Sequence, residues 1–174
     1  MSSGNIVLRF QYPPSGSNSD IRTFRVYHVI GDSSDVAELY RFYHPLTGLS
    51  SGVTTFQRRN LTTNVWDSAG QIDWTSNSNA TVTFGIDDVN IRDLRRAKKS
   101  SSKSRRFKAG GSEYKWKIAE NNIDLFCVDS RGRTVATWAQ SELTLCVVPS
   151  AEAILDHLVV TCLLHLWIRQ LGRW

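Results

Sequence analysis

Nine of the seventeen residues from Arg92 to Lys108 are cations: Arg92, Arg95, Arg96, Lys98, Lys99, Lys103, Arg105, Arg106 and Lys108. Asp93 alone opposes them, so the segment carries +8. The chain as a whole is +5, which leaves −3 for everything else. Cations at this density recognise anions, whether an acidic membrane surface, nucleic acid or an import receptor. Stacking on bases needs aromatic residues interleaved with the charges. Only Phe107 is close, which makes nucleic acid the weakest of the three. The nine residues are therefore read as an anion- or lipid-binding segment, with peripheral docking on anionic phospholipid or phosphoinositide as one expectation and an import receptor as another. The competing reading is a solvated loop, the usual fate of a charge run. Ser100, Ser101, Ser102 and Ser104 lie among the cations. Phosphorylating them would subtract charge and weaken such docking.

Other residues with chemical potential are fewer. His157, Thr161 and His165 recur at i, i+4 and i+8 and so share one stripe of a helix. The two histidines stand about 12 Å apart at 1.5 Å per residue, too far to share one metal ion. They read as hydrogen-bonded core groups. Asp156 fits pairing with a cation, or capping of nearby amides, better than catalysis. Asp87 and Asp88 are adjacent, so in a strand they would point apart, and a turn role is expected. The chain contains no Gly-rich phosphate loop, HExxH, paired CxxC or GxSxG. These readings imply no metal, no cofactor and a non-enzymatic binding module. Two rival classes stay open: a protein-interaction adaptor of unknown partner, and an enzyme whose site assembles from distant residues.

The element that must organise the rest is the stretch Ser150–Leu171. Ser150 reads as its N-cap, and Glu152 adds negative charge in the first turn. Ile154, Leu155, Leu158, Val159, Val160, Leu163, Leu164, Leu166, Trp167 and Ile168 cover nearly the whole circumference. A helix apolar all round must be buried. A membrane span wants about 20 apolar residues. Asp156, His157, Thr161 and His165 interrupt the run, which favours a core helix over a tail anchor.

Upstream, short alternating segments read as strands. They are Asn5–Gln11, Arg22–Ile30, Val36–Tyr43, Val53–Arg58, Thr62–Trp66, Gln71–Thr75, Ala80–Ile86, Ser104–Lys108, Glu113–Ile118, Ile123–Val128, Thr134–Trp138 and Glu142–Val148. Phe24, Val26, His28 and Ile30 are expected on one side, and Val82, Phe84 and Ile86 inward. Pro13-Pro14 with a Ser/Gly/Asn run, His44-Pro45 with Thr47-Gly48, and Arg131-Gly132 read as turns. Ala109-Gly110-Gly111 is a hairpin turn. A helix with side chains is about 10–12 Å across, more than an eight-stranded barrel can hold. Roughly twelve strands with one apolar helix therefore predict an all-β fold, an antiparallel barrel enclosing the C-terminal helix.

The length fits a single domain, 1–174. Cys127, Cys146 and Cys162 are odd in number and set among apolar residues. They read as buried free thiols of a reducing compartment. Ile6-Val7-Leu8 is too short for a signal-peptide core. A monomer is expected, cytoplasmic, with peripheral membrane or nuclear placement also open.

Arg106-Phe107, Tyr114-Lys115-Trp116, Leu125, Val135-Ala136, Leu143-Thr144-Leu145, Ile154-Leu155-Asp156 and Val159-Val160-Thr161 together resemble a fungal family of uncharacterised domains. The resemblance covers mainly residues 104–168. That family is similar in layout to the tubby carboxy-terminal domain and to the LURP-one-related and scramblase proteins. The resemblance implies a twelve-stranded barrel closed around a carboxy-terminal helix. Tubby-type domains bind phosphoinositides through basic surface residues, which adds weight to the lipid reading at the level of fold. Arg106 and Phe107 belong to the family's pattern, which implies a structural role for them at the hairpin.

Overall fold

The computed structural model of the protein describes residues 4–14, 20–31, 34, 36–46 and 51–174. The expected Thr47-Gly48 turn and the Ser/Gly/Asn run lie outside them. The described residues form twelve strands: β1 (Ile6–Gln11), β2 (Phe24–Val29), β3 (Val36–Tyr43), β4 (Gly52–Arg59), β5 (Trp66–Trp74), β6 (Ala80–Phe84), β7 (Asp87–Asn90), β8 (Ser104–Ala109), β9 (Ser112–Ile118), β10 (Leu125–Val128), β11 (Thr134–Ala139) and β12 (Thr144–Val147). One turn of helix, α1 (Ile91–Leu94), follows β7. A 3-10 segment, Pro149–Ile154, leads into α2 (Leu155–Gln170).

The sheet is antiparallel, in the order β7-β6-β5-β4-β3-β2-β1-β12-β11-β10-β9-β8. The strand count meets the expectation, but the barrel does not: β7 and β8 are edges, and the sheet is not closed. A physical reason lies along β8. Arg96 forms a two-way main-chain bridge with Arg106, N to O at 3.0 Å and 2.8 Å. The segment after α1 thus occupies part of the edge that closure would use.

The chain divides into two compact units, one of residues 1–9 and 92–174, the other of residues 10–91. In the second unit Phe24, Phe42 and Phe56 stack in sequence, with ring centroids 4.5 and 5.1 Å apart. Phe42 pairs with Phe24 and Phe56 across the strands, so alternation alone puts the three rings on one face. A bulge between Val26 and Tyr27 ends that alternation in β2, so His28 is not buried and Ile30 is half exposed. Two other expectations are corrected here. Of the strand expected at Thr62–Trp66, residues 62–65 form a turn and only Trp66 is strand, opening β5, because Asn60 Oδ1 accepts from the Thr62 and Thr63 amides and Asn64 adopts φ +59°. Asx-turn chemistry overrides the β-branched residues. Ile86 does not face inward: it is 97% exposed in a two-residue turn opened by Gly85 at φ +60°. Phe84 and Asp87 pair across that turn. Asp87 and Asp88 consequently lie in β7, not in a turn.

In the first unit β8 and β9 form the expected hairpin. Ala109 pairs with Ser112, and Gly110 and Gly111 sit at φ +56° and +77°, the positive values that a tight two-residue turn needs. The helix begins differently from its sequence reading. Ser150 does not cap it: the 3-10 segment starts after Val148, no side chain caps either segment, and Pro149 opens the first turn. By length and composition Pro149–Gln170 could cross a membrane. In the structure twelve of the sixteen α2 residues are buried, on every side of the helix. Cys127 and Cys162 are buried thiols, whose ionisation burial opposes; Cys146 is only half-buried.

Candidate anion-binding surface

The basic segment lies within the first unit and is built, not loose. Its first part is α1, its last part is β8, and the turn between them is closed by the Ser102 amide donating to the Lys99 carbonyl at 2.9 Å. Strand geometry then sorts the charges, because alternate residues of β8 take opposite faces. Phe107 and Ala109 are buried, and Arg105 shares their face, opposite the fully buried Trp116. Arg106 and Lys108 take the other face.

That second face is cationic across three neighbouring main chains. Arg96 is bridged to Arg106, and Arg106 is paired with Lys115 of β9. Lys117 follows two residues on, opposite Ser104. Like charges directly opposite in a sheet destabilise it. Among the described residues Glu113 offers relief at one point, bonding Arg106 Nη1 at 2.9 Å. Arg92, Arg96, Lys98, Lys99, Lys103 and Lys108 are exposed, as is Asp93.

Arg95 and Arg105 behave differently. Arg95 Nε donates to His165 Nδ1 at 3.1 Å. Burial first, and Arg105 second, lower the Arg95 pKa to about 10, which still leaves it charged at neutral pH. Arg105 Nη1 donates to the Ser102 carbonyl at 2.7 Å and to that of Ser104 at 3.1 Å. Its Nη2 donates to the main-chain oxygen of Trp174. The Trp174 indole N–H in turn donates to the Lys103 carbonyl at 2.7 Å.

Of the nine cations named from sequence, six are exposed, Arg106 is half-buried in an ion pair, and Arg95 and Arg105 turn inward. Lys115 and Lys117 were missed, although a Lys-Trp-Lys run in a strand puts both lysines on the face opposite the tryptophan. The helix stripe resolves into different jobs. Thr161 Oγ1 donates to the His157 carbonyl at 2.6 Å and accepts from Trp116 Nε1 at 2.8 Å. His165 is fully buried and held by Arg95. Asp156 and His157 are partly buried in the first turn of α2. Among the described residues no three His, Cys, Asp or Glu side chains group as metal ligands would.

The second unit holds a cleft of about 580 Å³, lined in part by Tyr12, Arg25, Tyr27, Arg41, Tyr43 and Gln57. Its arginines are answered: Glu38 lies 2.7 Å from Arg41 and 3.7 Å from Arg25. The cleft therefore lacks the unbalanced charge of the β8–β9 face.

Compared with known proteins, residues 22–170 match the model of a family of unknown function, DUF6593. The match reaches well upstream of residue 104, where the sequence resemblance began. No curated protein and no solved structure matches the chain.

Proposed function

The chain belongs to the DUF6593 family, and from this premise we propose that it is a non-enzymatic binding module that docks on anionic phospholipid through the basic face. The observation that carries the reading is the row Arg96, Arg106 and Lys115, three like charges side by side with Glu113 as the one carboxylate bonded to them among the described residues. A sheet face gains nothing in stability from such a row, whereas an anionic partner neutralises it. The exposed Lys98, Lys99 and Lys103 extend the same charge into the preceding turn. The tubby-like, fungal affiliation suggested by the sequence supports the lipid reading in the same direction and is part of the proposal.

Each Lys or Arg at an anionic membrane contributes about 1 kcal/mol, and salt screening offsets part of it. Weak, reversible binding follows, with dissociation constants of about micromolar to millimolar. The test is sedimentation with phosphatidylserine vesicles at two salt concentrations, using the wild type and a Lys98→Glu, Lys99→Glu, Lys103→Glu variant. Binding should fall steeply with salt, vanish on neutral vesicles and be lost in the variant. Equal sedimentation of the two proteins would sink the reading.

A further inference from the structure

His165 is completely buried, and its Nδ1 accepts a hydrogen bond from Arg95 Nε at 3.1 Å. A ring nitrogen that accepts carries no proton, so the proton of the neutral ring is on Nε2. That Nε2 is buried without a hydrogen-bond partner, and so is Nη2 of Arg95. On a guanidinium Nε and Nη2 form one edge, so the unpartnered Nη2 lies beside the nitrogen that holds His165. Both orphan atoms are donors. The groups that bear electrostatically on His165 are Arg95, Arg105 and Arg169, all cationic. No Asp or Glu forms an ion pair with Arg95 among the described residues, whereas Arg105 is held by the Ser102, Ser104 and Trp174 main-chain oxygens. Buried charges are ordinarily paired, and buried donors are ordinarily satisfied. Here two buried donors, on Arg95 and His165, lack an acceptor.

We propose that Arg95 and His165, with Arg105 alongside, form a binding site for a tetrahedral oxyanion, a phosphate group. Such a group carries several acceptor oxygens for these buried donors and supplies a negative charge beside Arg95. Trp174 packs against the imidazole. Its ring lies 5.0 Å from the His165 ring, and Arg105 holds its main-chain oxygen. Trp116 borders the imidazole from another side, 6.0 Å away and nearly edge-on. The inference is separate from membrane docking, because it uses the two arginines that turn away from the basic face.

The phosphate could come from solution or from a lipid headgroup, and the test distinguishes them. Wild-type protein is titrated with inorganic phosphate, with sodium chloride of matched ionic strength as control, and followed by the 15N resonances of His165 and by melting temperature. The parallel arm uses vesicles bearing a phosphomonoester headgroup against phosphatidylserine vesicles. A saturable His165 shift with free phosphate, and a melting temperature that rises with its concentration, support the site and a soluble source. A shift only with phosphomonoester vesicles supports it and assigns the source to lipid. The response should persist in the Lys98, Lys99, Lys103→Glu variant and fall at least tenfold in Arg95→Met. If Arg95→Met does not fold, the wild-type and triple-variant titrations decide alone. Identical behaviour in phosphate and chloride with no vesicle response overturns the proposal. So does loss of the phosphate response in the triple variant, which would trace it to the exposed lysines.

Discussion

Thr161 does two things at one atom. Its hydroxyl satisfies the Trp116 indole N–H and is itself tied to the His157 carbonyl. Thr161→Val keeps the shape and leaves a buried donor unpaired, so a loss of about 1–3 kcal/mol is expected in urea unfolding. Thr161→Ser, which keeps the hydroxyl, should lose clearly less; equal losses would show that the hydrogen bond contributes nothing. Gly70 illustrates a steric demand. A Cβ there would lie 1.9 Å from the Thr83 carbonyl oxygen and 2.6 Å from Phe56 Cζ. Gly70→Ala must displace backbone, and a melting curve should show severe destabilisation or failure to fold, beyond the roughly 1–3 kcal/mol of ordinary overpacking. An unchanged midpoint would mean that the Phe56 ring does not cover that position. Neither demand could be read from sequence. Thr161 was legible as a polar residue on an apolar helix, but its partner lies 45 residues away.

At the scale of elements, the apolar circumference of α2 had one physical meaning, burial, and the structure buries it. Leu163 is fully buried, so Leu163→Ala should lower stability by about 2–5 kcal/mol, measured by denaturant unfolding; a loss under about 1 kcal/mol would mean that the site collapses around the smaller side chain. The strands were legible wherever period-two alternation was intact, as in Val36–Tyr43, which the structure reproduces. They were not legible where local hydrogen bonding competed, at Asn60 to Asn64, or where a bulge reset the pattern, after Val26. Treating the nine cations of Arg92–Lys108 as one set concealed how the strand expected at Ser104–Lys108 sorts them. As a strand, β8 divides neighbouring arginines, sending Arg105 to the buried face and Arg106 to the cationic one. The inference of a closed barrel went further than burial requires: a helix needs neighbours on all sides, not a sheet whose last strand meets its first. The bridge of Arg96 to Arg106 is made by main-chain atoms, which leave no signature in residue type.

For the molecule as a whole, acid should be the revealing stress. Burial, reinforced by Arg95, Arg105 and Arg169, holds the His165 pKa well below 6.5. As pH falls through 6.5 the unfolded chain takes up a proton that the native state refuses. Its stabilisation is therefore present above pH 6.5 and declines below it, by about 1.4 kcal/mol per pH unit until the native pKa is reached. Urea unfolding at pH 7.5, 6.5 and 5.5 checks this. A flat profile would show that His165 is solvated or charged in the native state. The depressed carboxylates Asp20 and Asp129 act in a lower range, below about pH 3.8, but buried His44, whose pKa burial and Arg22 lower, acts in the same window, so His165→Gln should remove only part of the slope.

The edge at β8, open beyond the Arg96–Arg106 bridge, also bears on how copies of the protein meet. An unpaired strand is a template for another chain, and natural sheets blunt such edges with charge. Any second copy offering its own β8 brings the same Arg106 and Lys108. Repulsion between them reaches about 8 Å at physiological ionic strength and about 3 Å at 1 M salt. The charge that would hold the protein to an anionic surface thus also keeps concentrated solutions dispersed. High salt, or Arg106→Gln with Lys108→Gln, removes that protection, and light scattering should then report ribbon-like aggregation that the wild type resists in dilute buffer.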